Sequence, residues 1–310
     1  MTNVLVLLPA NDDHRARLQA AAPDVNFDYV EPGEVTDAQL SHADAILGNL
    51  APECLSACEN LRLLQLASAG FDKYVDGRVP EGAALCCSSG AYGQAVSEHL
   101  FAALLCVMKR LDGYRDMQHR HEWGDLGPVG TPRGANVLVL GAGDIGTHVA
   151  RLFHAVGASV TGVRTRSSEP QPPFDAMGTL ADLDRLLPEA DIVCSVLPST
   201  PDTRRLANEK FFAGMKPGSI FANAGRGDLV DQAALAEALR SGHLRAATLD
   251  VADPEPLPAD DPLWDVPNLL LTPHVSGFFH LSVTLDNVVD IAADNLGRLR
   301  RGEELRNRVL

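Results

Sequence analysis

The sequence predicts an α/β fold of two doubly wound parallel-sheet domains, and three observations carry that prediction. Short apolar runs recur along the chain, separated by alanine-rich or polar stretches of helical length, which is how strands covered on both faces by helices look. A glycine turn, Gly141-Ala-Gly143-Asp-Ile-Gly146, joins one such run to an amphipathic stretch. The length, 310 residues, exceeds a typical single domain and falls near two, each able to bury its own core and together able to flank a cleft.

The apolar runs at 4–8, 45–47, 63–67 and 84–87 read as strands of a first small domain ending near residue 100. After the third run comes Ser68-Ala69-Gly70-Phe71-Asp72, a small-residue turn at a strand's carboxyl end, where bare backbone N–H groups can face an anion. An ordinary turn accounts for those residues equally well. The stretch 97–110 (SEHLFAALLCVMKR) is apolar nearly all round and predicts a helix buried on most sides, crossing between domains or packing on a second subunit. Gly, Pro and Thr between 124 and 134 predict a loop.

A second unit opens with the run 136–140, and further strands read at 159–163, 192–197, 219–223, 246–250 and 269–271, six in all. Ile145, Val149, Leu152, Phe153 and Val156 recur at helical spacing after the glycine turn. Strand, glycines and helix in this order fit a dinucleotide fingerprint, with Gly141, Gly143, Asp144, Ile145 and Gly146 against the pyrophosphate at the helix N-terminus. The next strand closes with Arg164-Thr165-Arg166-Ser-Ser, where an acidic residue would take the ribose hydroxyl of NAD. Two arginines and neighbouring hydroxyls suit a 2′-phosphate instead, so NADP(H) is the expected cofactor and NAD(H) the alternative.

Three charged residues of three kinds follow later runs: Arg226 between Gly225 and Gly227, Glu255 in a proline-rich loop, and His274 after Thr-Pro. Each alone has an ordinary reading as a turn, loop or strand-end residue. Together, at the carboxyl ends of parallel strands, they form a set for a small anionic keto or hydroxy acid. Arginine holds a carboxylate with a fork of donors, histidine moves a proton near neutral pH, and glutamate can orient and charge that histidine.

Composition narrows the class. A formal charge of −15 opposes nucleic acid or an anionic membrane as the main partner, since both would be repelled. Six cysteines lie mostly inside apolar runs and lack the paired spacing of a zinc site, which predicts reduced core thiols and no metal. The start runs straight into VLVLL with no basic leader and too few apolar residues to span a bilayer, so a soluble cytoplasmic protein is expected.

The segments NAGRGDLVD (223–231), LDVADPEPLP (249–258) and PLWDVPNLLLTPHVSG (262–277), with a helix at 232–241 and the upstream fingerprint, resemble the D-isomer-specific 2-hydroxyacid dehydrogenases. That family includes glyoxylate/hydroxypyruvate reductases, phosphoglycerate dehydrogenase and D-lactate dehydrogenase. The resemblance implies a Rossmann cofactor domain, residues 100–282, inserted in a flavodoxin-like substrate (catalytic) domain formed by 1–99 and 283–310. It further implies that Ala69 and Gly70 bind the substrate carboxylate through their backbone together with Arg226. Leu197, Pro198, Ala224 and Asp250 would line the nicotinamide site, and His274 with Glu255 would supply the proton. Pairing into a homodimer through the cofactor domain is implied too. Phe278-Phe279-His280 stand where the family commonly has smaller or polar residues, a departure that bears on the choice of acid. Oxidation of another small anion, phosphite or formate, is the neighbouring alternative on this fold. A dinucleotide-sensing binding protein is the alternative outside catalysis, and an intact Arg226, Glu255 and His274 weighs against it. A helix over 282–299 returns to the first domain in the family, and the charged residues beyond it are expected to be loose.

Overall fold

The first apolar run forms β1 (Asn3–Val6), with Val4, Leu5 and Val6 buried. Asn11 then caps α1 (Asp12–Ala21) by accepting the His14 N–H, and β2 (Asn26–Tyr29) returns alongside β1. α2 (Asp37–His42), capped by Thr36, leads to β3 (Ala45–Leu47), β4 (Leu63–Gln65) and β5 (Ala84–Cys86). All pairings are parallel in the order β2-β1-β3-β4-β5, a flavodoxin-like winding. The computed structural model describes residues 1–310 apart from Arg166 and Pro170, and the chain forms two units, Met1–Tyr92 with Phe279–Leu310, and Gly93–Phe278.

Two corrections arise in the first unit. β2, NFDY, has no apolar run, because it lies at the sheet edge and alternates exposed and half-buried residues. The C-terminal residues are also not loose. The C-terminal helix (Ser282–Arg301) stops at Gly302 in the left-handed conformation, and the tail then runs antiparallel along β5. Val309 N–H donates to the Leu85 carbonyl at 2.7 Å and Cys87 N–H to that of Asn307 at 3.1 Å. Asn295, fully buried on the helix, donates to Gln65 at 2.6 Å and accepts from Arg306 N–H at 2.7 Å, locking the tail to β4. Main-chain pairing, invisible in a charged sequence, outweighs the exposure of the side chains.

In the second unit α3 (Gly93–Met108) starts four residues before the expected helix and stops where Arg110 turns left-handed. A Cβ at residue 93 would run into the His148 ring, which would have to swing aside to admit it. Leu100, Leu104, Val107 and Met108 are buried and Phe101 meets Phe153 edge-on, ring centroids 5.2 Å apart. Ala102 is exposed and Leu105 and Cys106 are half-buried, so the helix is less buried than its composition predicts. α4 (Leu111–His119), absent from the sequence reading, buries no residue.

β6 (Asn136–Leu140), α5 (Asp144–Ala155), β7 (Ser159–Arg164), β8 (Ala176–Thr179), α6 (Leu183–Leu186), β9 (Ile192–Ser195), α7 (Glu209–Gly214), β10 (Ile220–Asn223), α8 (Gln232–Arg240), β11 (Ala246–Leu249) and β12 (Leu269–Leu271) complete the unit. The sheet has seven strands, not six, in the order β12-β11-β10-β9-β6-β7-β8, all parallel. The extra strand, β8 (AMGT), is an edge strand with only a methionine of any bulk, too weak an apolar signal to read. Counted within the unit this is the Rossmann order, reversing direction between β6 and β9, where such sheets open a crevice for ligands.

Candidate active site

Because every strand of this sheet points the same way, the loops after β10, β11 and β12 share one rim, and they carry Arg226, Glu255 and His274 respectively. Asn223, buried at the end of β10, shapes the first loop. Its amide donates to the Arg226 carbonyl at 2.8 Å and its Oδ1 accepts from Gly225 N–H at 3.0 Å. The two flanking glycines are packing requirements, since a Cβ at 225 would lie 2.5 Å from the Leu197 carbonyl oxygen and one at 227 would run into the Ala252 carbonyl. Asp228 accepts from Ser199 Oγ at 2.5 Å and Arg204 Nε at 3.2 Å, tying this loop to the one after β9 that holds Leu197 and Pro198. Leu197 is buried, Ala224 half-buried and Pro198 exposed.

Glu255 Oε2 lies 2.7 Å from His274 Nδ1, and its Oε1 accepts the Ala252 N–H at 3.0 Å. Their side chains are 37 % and 47 % exposed, so in water the pair contributes at most about 1 kcal/mol. Its consequence is orientation. A carboxylate only accepts, so Nδ1 carries a hydrogen and Nε2 is the nitrogen left to give or take a proton.

Asp250, 4 % exposed, organises the loop beneath His274. Its carbonyl accepts His274 N–H at 2.7 Å, while its carboxylate accepts from Thr272 Oγ1 at 2.5 Å, Val275 N–H at 3.1 Å and Ser276 N–H at 3.0 Å. The last two N–H groups follow a left-handed residue, His274 at φ 53°, and form a nest filled by an anion from the protein itself. His99 of α3 reaches the same cluster, Nε2 lying 3.0 Å from Thr272 Oγ1. Asn223, Thr272 and His99 escape sequence reasoning, because a lone polar residue in an apolar segment says nothing of the loop it meets.

The glycine turn fits a dinucleotide. Gly141 adopts φ 106°, and a Cβ at Gly146 would run into the Gly141 carbonyl, so the absence of side chains brings α5 directly onto the turn. A Cβ at Gly143 would meet open space, and the first-turn N–H groups of the 12-residue α5 begin at Asp144. Ile145 is half-buried, its side chain packed against the core, while its main chain belongs to the first turn of α5. Arg164 ends β7 and is half-buried, Thr165 is exposed, and Arg166 lies outside the described residues. In the first unit Ala69 and Gly70 form the turn after β4. Ser68 Oγ donates to the Gly70 carbonyl at 2.6 Å, and the Ala69 and Gly70 N–H groups meet no protein acceptor among the described residues.

Residues 101–276 match the family model described as D-isomer specific 2-hydroxyacid dehydrogenase, NAD binding domain. The chain belongs to the D-isomer specific 2-hydroxyacid dehydrogenase family. Its members are NAD(P)-dependent oxidoreductases that move a hydride between a nicotinamide dinucleotide and a 2-keto or 2-hydroxy acid. Similar proteins include glyoxylate/hydroxypyruvate reductase B of Pectobacterium atrosepticum, 32 % identical over 305 residues, 95 % of this chain and 93 % of the relative. A family structure from Aeromonas salmonicida superposes with a TM-score of 0.88 at 32 % identity, covering 100 % of this chain and 99 % of that one. The NADPH-dependent glyoxylate/hydroxypyruvate reductase of Sinorhizobium meliloti, solved with NADP and sulfate, gives 0.81 at 27 % identity, covering 100 % and 98 %. Among the described residues no helix is long and apolar enough to cross a membrane, and no group of three His, Cys, Asp or Glu side chains could hold a metal ion.

Proposed function

We propose that this dehydrogenase reduces small 2-keto acids of glyoxylate or hydroxypyruvate size with NADPH. The observation that carries the reading is the His274–Glu255 pair, which leaves one imidazole nitrogen for proton transfer on the rim that also bears Arg226. A nicotinamide dinucleotide, when bound, supplies the hydride. Gly141, Gly143, Asp144 and Gly146 would hold its pyrophosphate, and Leu197, Pro198, Ala224 and Asp250 would line its nicotinamide end. Arg226 would fix the substrate carboxylate and draw electron density from the carbonyl. In the first unit, taken by itself, the Ala69 and Gly70 N–H groups are donors suited to a carboxylate. His274 Nε2 gives the proton that the carbonyl oxygen takes up, with Glu255 orienting the ring through Nδ1. The unit of Met1–Tyr92 with Phe279–Leu310 serves as the substrate domain and Gly93–Phe278 as the cofactor domain, where the sequence led to 1–99 with 283–310 and 100–282. Loss of NADPH absorbance with glyoxylate and hydroxypyruvate, against pyruvate and phenylpyruvate, tests the reading. A flat trace with every acid would sink it.

NADPH preference is supported by β7 closing on Arg164, not on an acidic residue. Arg164→Ala is expected to raise the KM for NADPH over that for NADH by about 1.5–3 kcal/mol, the range of a hydrogen bond to a charged group. Equal or better use of NADH by the unmodified enzyme would overturn the preference.

A homodimer formed through the cofactor domain is supported by surface that a single chain leaves uncovered: α4 buries nothing, Leu111 is 55 % exposed, and Trp123 is fully exposed. A standard interface would cover them. Light scattering at micromolar concentration should therefore read about twice 33.1 kDa, and the monomer mass would refute the dimer. A cytoplasmic site of action is supported by six free cysteines. Burial pushes Cys58 and Cys86 up to about 11 and Cys194 higher, so they stay protonated thiols, while Cys54 is exposed and departs from the expected core placement.

A further inference from the structure

We propose that His99 positions His274 for proton transfer, acting through Thr272 and Asp250. The inference rests on the reading of His274 as the proton donor. The chain of contacts has a fixed direction. Asp250 Oδ1, a carboxylate oxygen, can only accept, so Thr272 spends its single hydroxyl hydrogen on it at 2.5 Å. Thr272 Oγ1 is then an acceptor toward His99, and the Nε2–H of His99 donates across 3.0 Å. His99 Nε2 also lies 3.6 Å from Asp250 Oδ1, placing its hydrogen-bearing edge against a carboxylate that is 3 % exposed.

What this cluster holds is a strained backbone. A non-glycine residue is disfavoured in the left-handed region, and such a conformation persists only where its surroundings over-determine it. His274, at φ 53°, is fixed through its own N–H to the Asp250 and Thr272 carbonyls at 2.7 and 3.0 Å. The two N–H groups that follow are fixed on the Asp250 carboxylate. Thr272 therefore touches the strained residue from one side and the anion filling its nest from the other. Without the His99 donor the threonine hydroxyl can turn away, Asp250 loses its closest partner, and the His274 loop relaxes toward ordinary backbone angles. The ring then leaves the direction that the Glu255 contact sets for Nε2. His99 sits on α3 while His274 follows β12, so the contact joins a helix to a strand-end loop 173 residues further along the chain.

Steady-state reduction of glyoxylate by the full chain, with NADPH affinity read separately by fluorescence titration, tests the proposal. His99→Leu should lower kcat about tenfold or more while the keto-acid KM and the NADPH Kd stay within about twofold. His99→Gln, whose side-chain amide can still donate to Thr272, should recover kcat to within about threefold of the parent. Thr272→Val should repeat the loss, and the double variant should be no worse than either single one, since both break one link. Thr272→Val also reads that link if His99→Leu is not recovered folded. A kcat within twofold of the parent for both His99→Leu and Thr272→Val would overturn the proposal, as would an equal loss for His99→Gln. His274→Asn separates the two readings. If it abolishes reduction while His99→Leu does not matter, only the positioning role fails. If it leaves reduction intact, the proton-donor role itself fails.

Discussion

His274→Gln should lose about 100- to 10,000-fold in kcat for the keto acid, the range of a positioned general acid, while NADPH affinity stays near that of the parent. The glutamine fills a similar volume and its amide can still donate to Glu255, but it has no nitrogen able to release a proton. Glu255→Gln should cost less, because it keeps a hydrogen-bonding partner 2.7 Å from Nδ1 and removes only the charge. The two variants thus separate proton delivery from ring orientation. Rapid mixing of enzyme–NADPH with glyoxylate, followed in water and heavy water, checks the assignment. The parent should slow in heavy water and His274→Gln should be insensitive to it. A variant within tenfold of the parent, with its isotope effect intact, would mean that another group moves the proton.

Arg226→Lys should lose on the order of 10- to 100-fold in kcat/KM, although it keeps the charge. The backbone that aims this side chain is over-determined by Asn223 on one side and by glycines wedged against Leu197 and Ala252 on the other. A lysine there offers a single point of charge from the same origin, without the planar pair of N–H groups that matches a carboxylate or a carbonyl and carboxylate together. Dinucleotide affinity should be unchanged, which titration of NADPH fluorescence reads directly. A lysine variant within about threefold of the parent, a loss below roughly 0.7 kcal/mol, would show that Arg226 does not hold the substrate.

The parts of this structure that were legible in the sequence are those where residue type and backbone constraint coincide. The tight turn into α5 is legible because no residue but glycine at 146 lets the helix meet the Gly141 carbonyl, and the parallel order follows from continuous apolar runs such as NVLVL. The rim positions of Arg226, Glu255 and His274 follow from strand ends. Illegible were contacts set by three-dimensional closure. β2 and β8 are edge strands whose pairing is main-chain, and α4 is a helix without a buried face. Nothing local marks Thr272 or His99 as partners of Asp250, since their meeting depends on α3 packing over the carboxyl ends of β11 and β12.

The docking of residues 303–310 along β5, and of Asn295 on Gln65, has a consequence for how the chain is made. The unit from Gly93 to Phe278 is continuous and can close as soon as it leaves the ribosome. The other unit begins first but finishes last, because the partners of Gln65, Leu85 and Cys87 arrive some 220 residues after those positions are synthesised. For most of translation the first four parallel strand pairings therefore wait with β5 uncovered and a buried amide without its mate. A ribosome that stops after Phe278 would release a chain with a finished cofactor fold and an open, unfinished sheet, a natural substrate for chaperones and proteases. Quality control of this enzyme should fall on the returning segment, Phe279–Leu310, rather than on the unit that closes by itself.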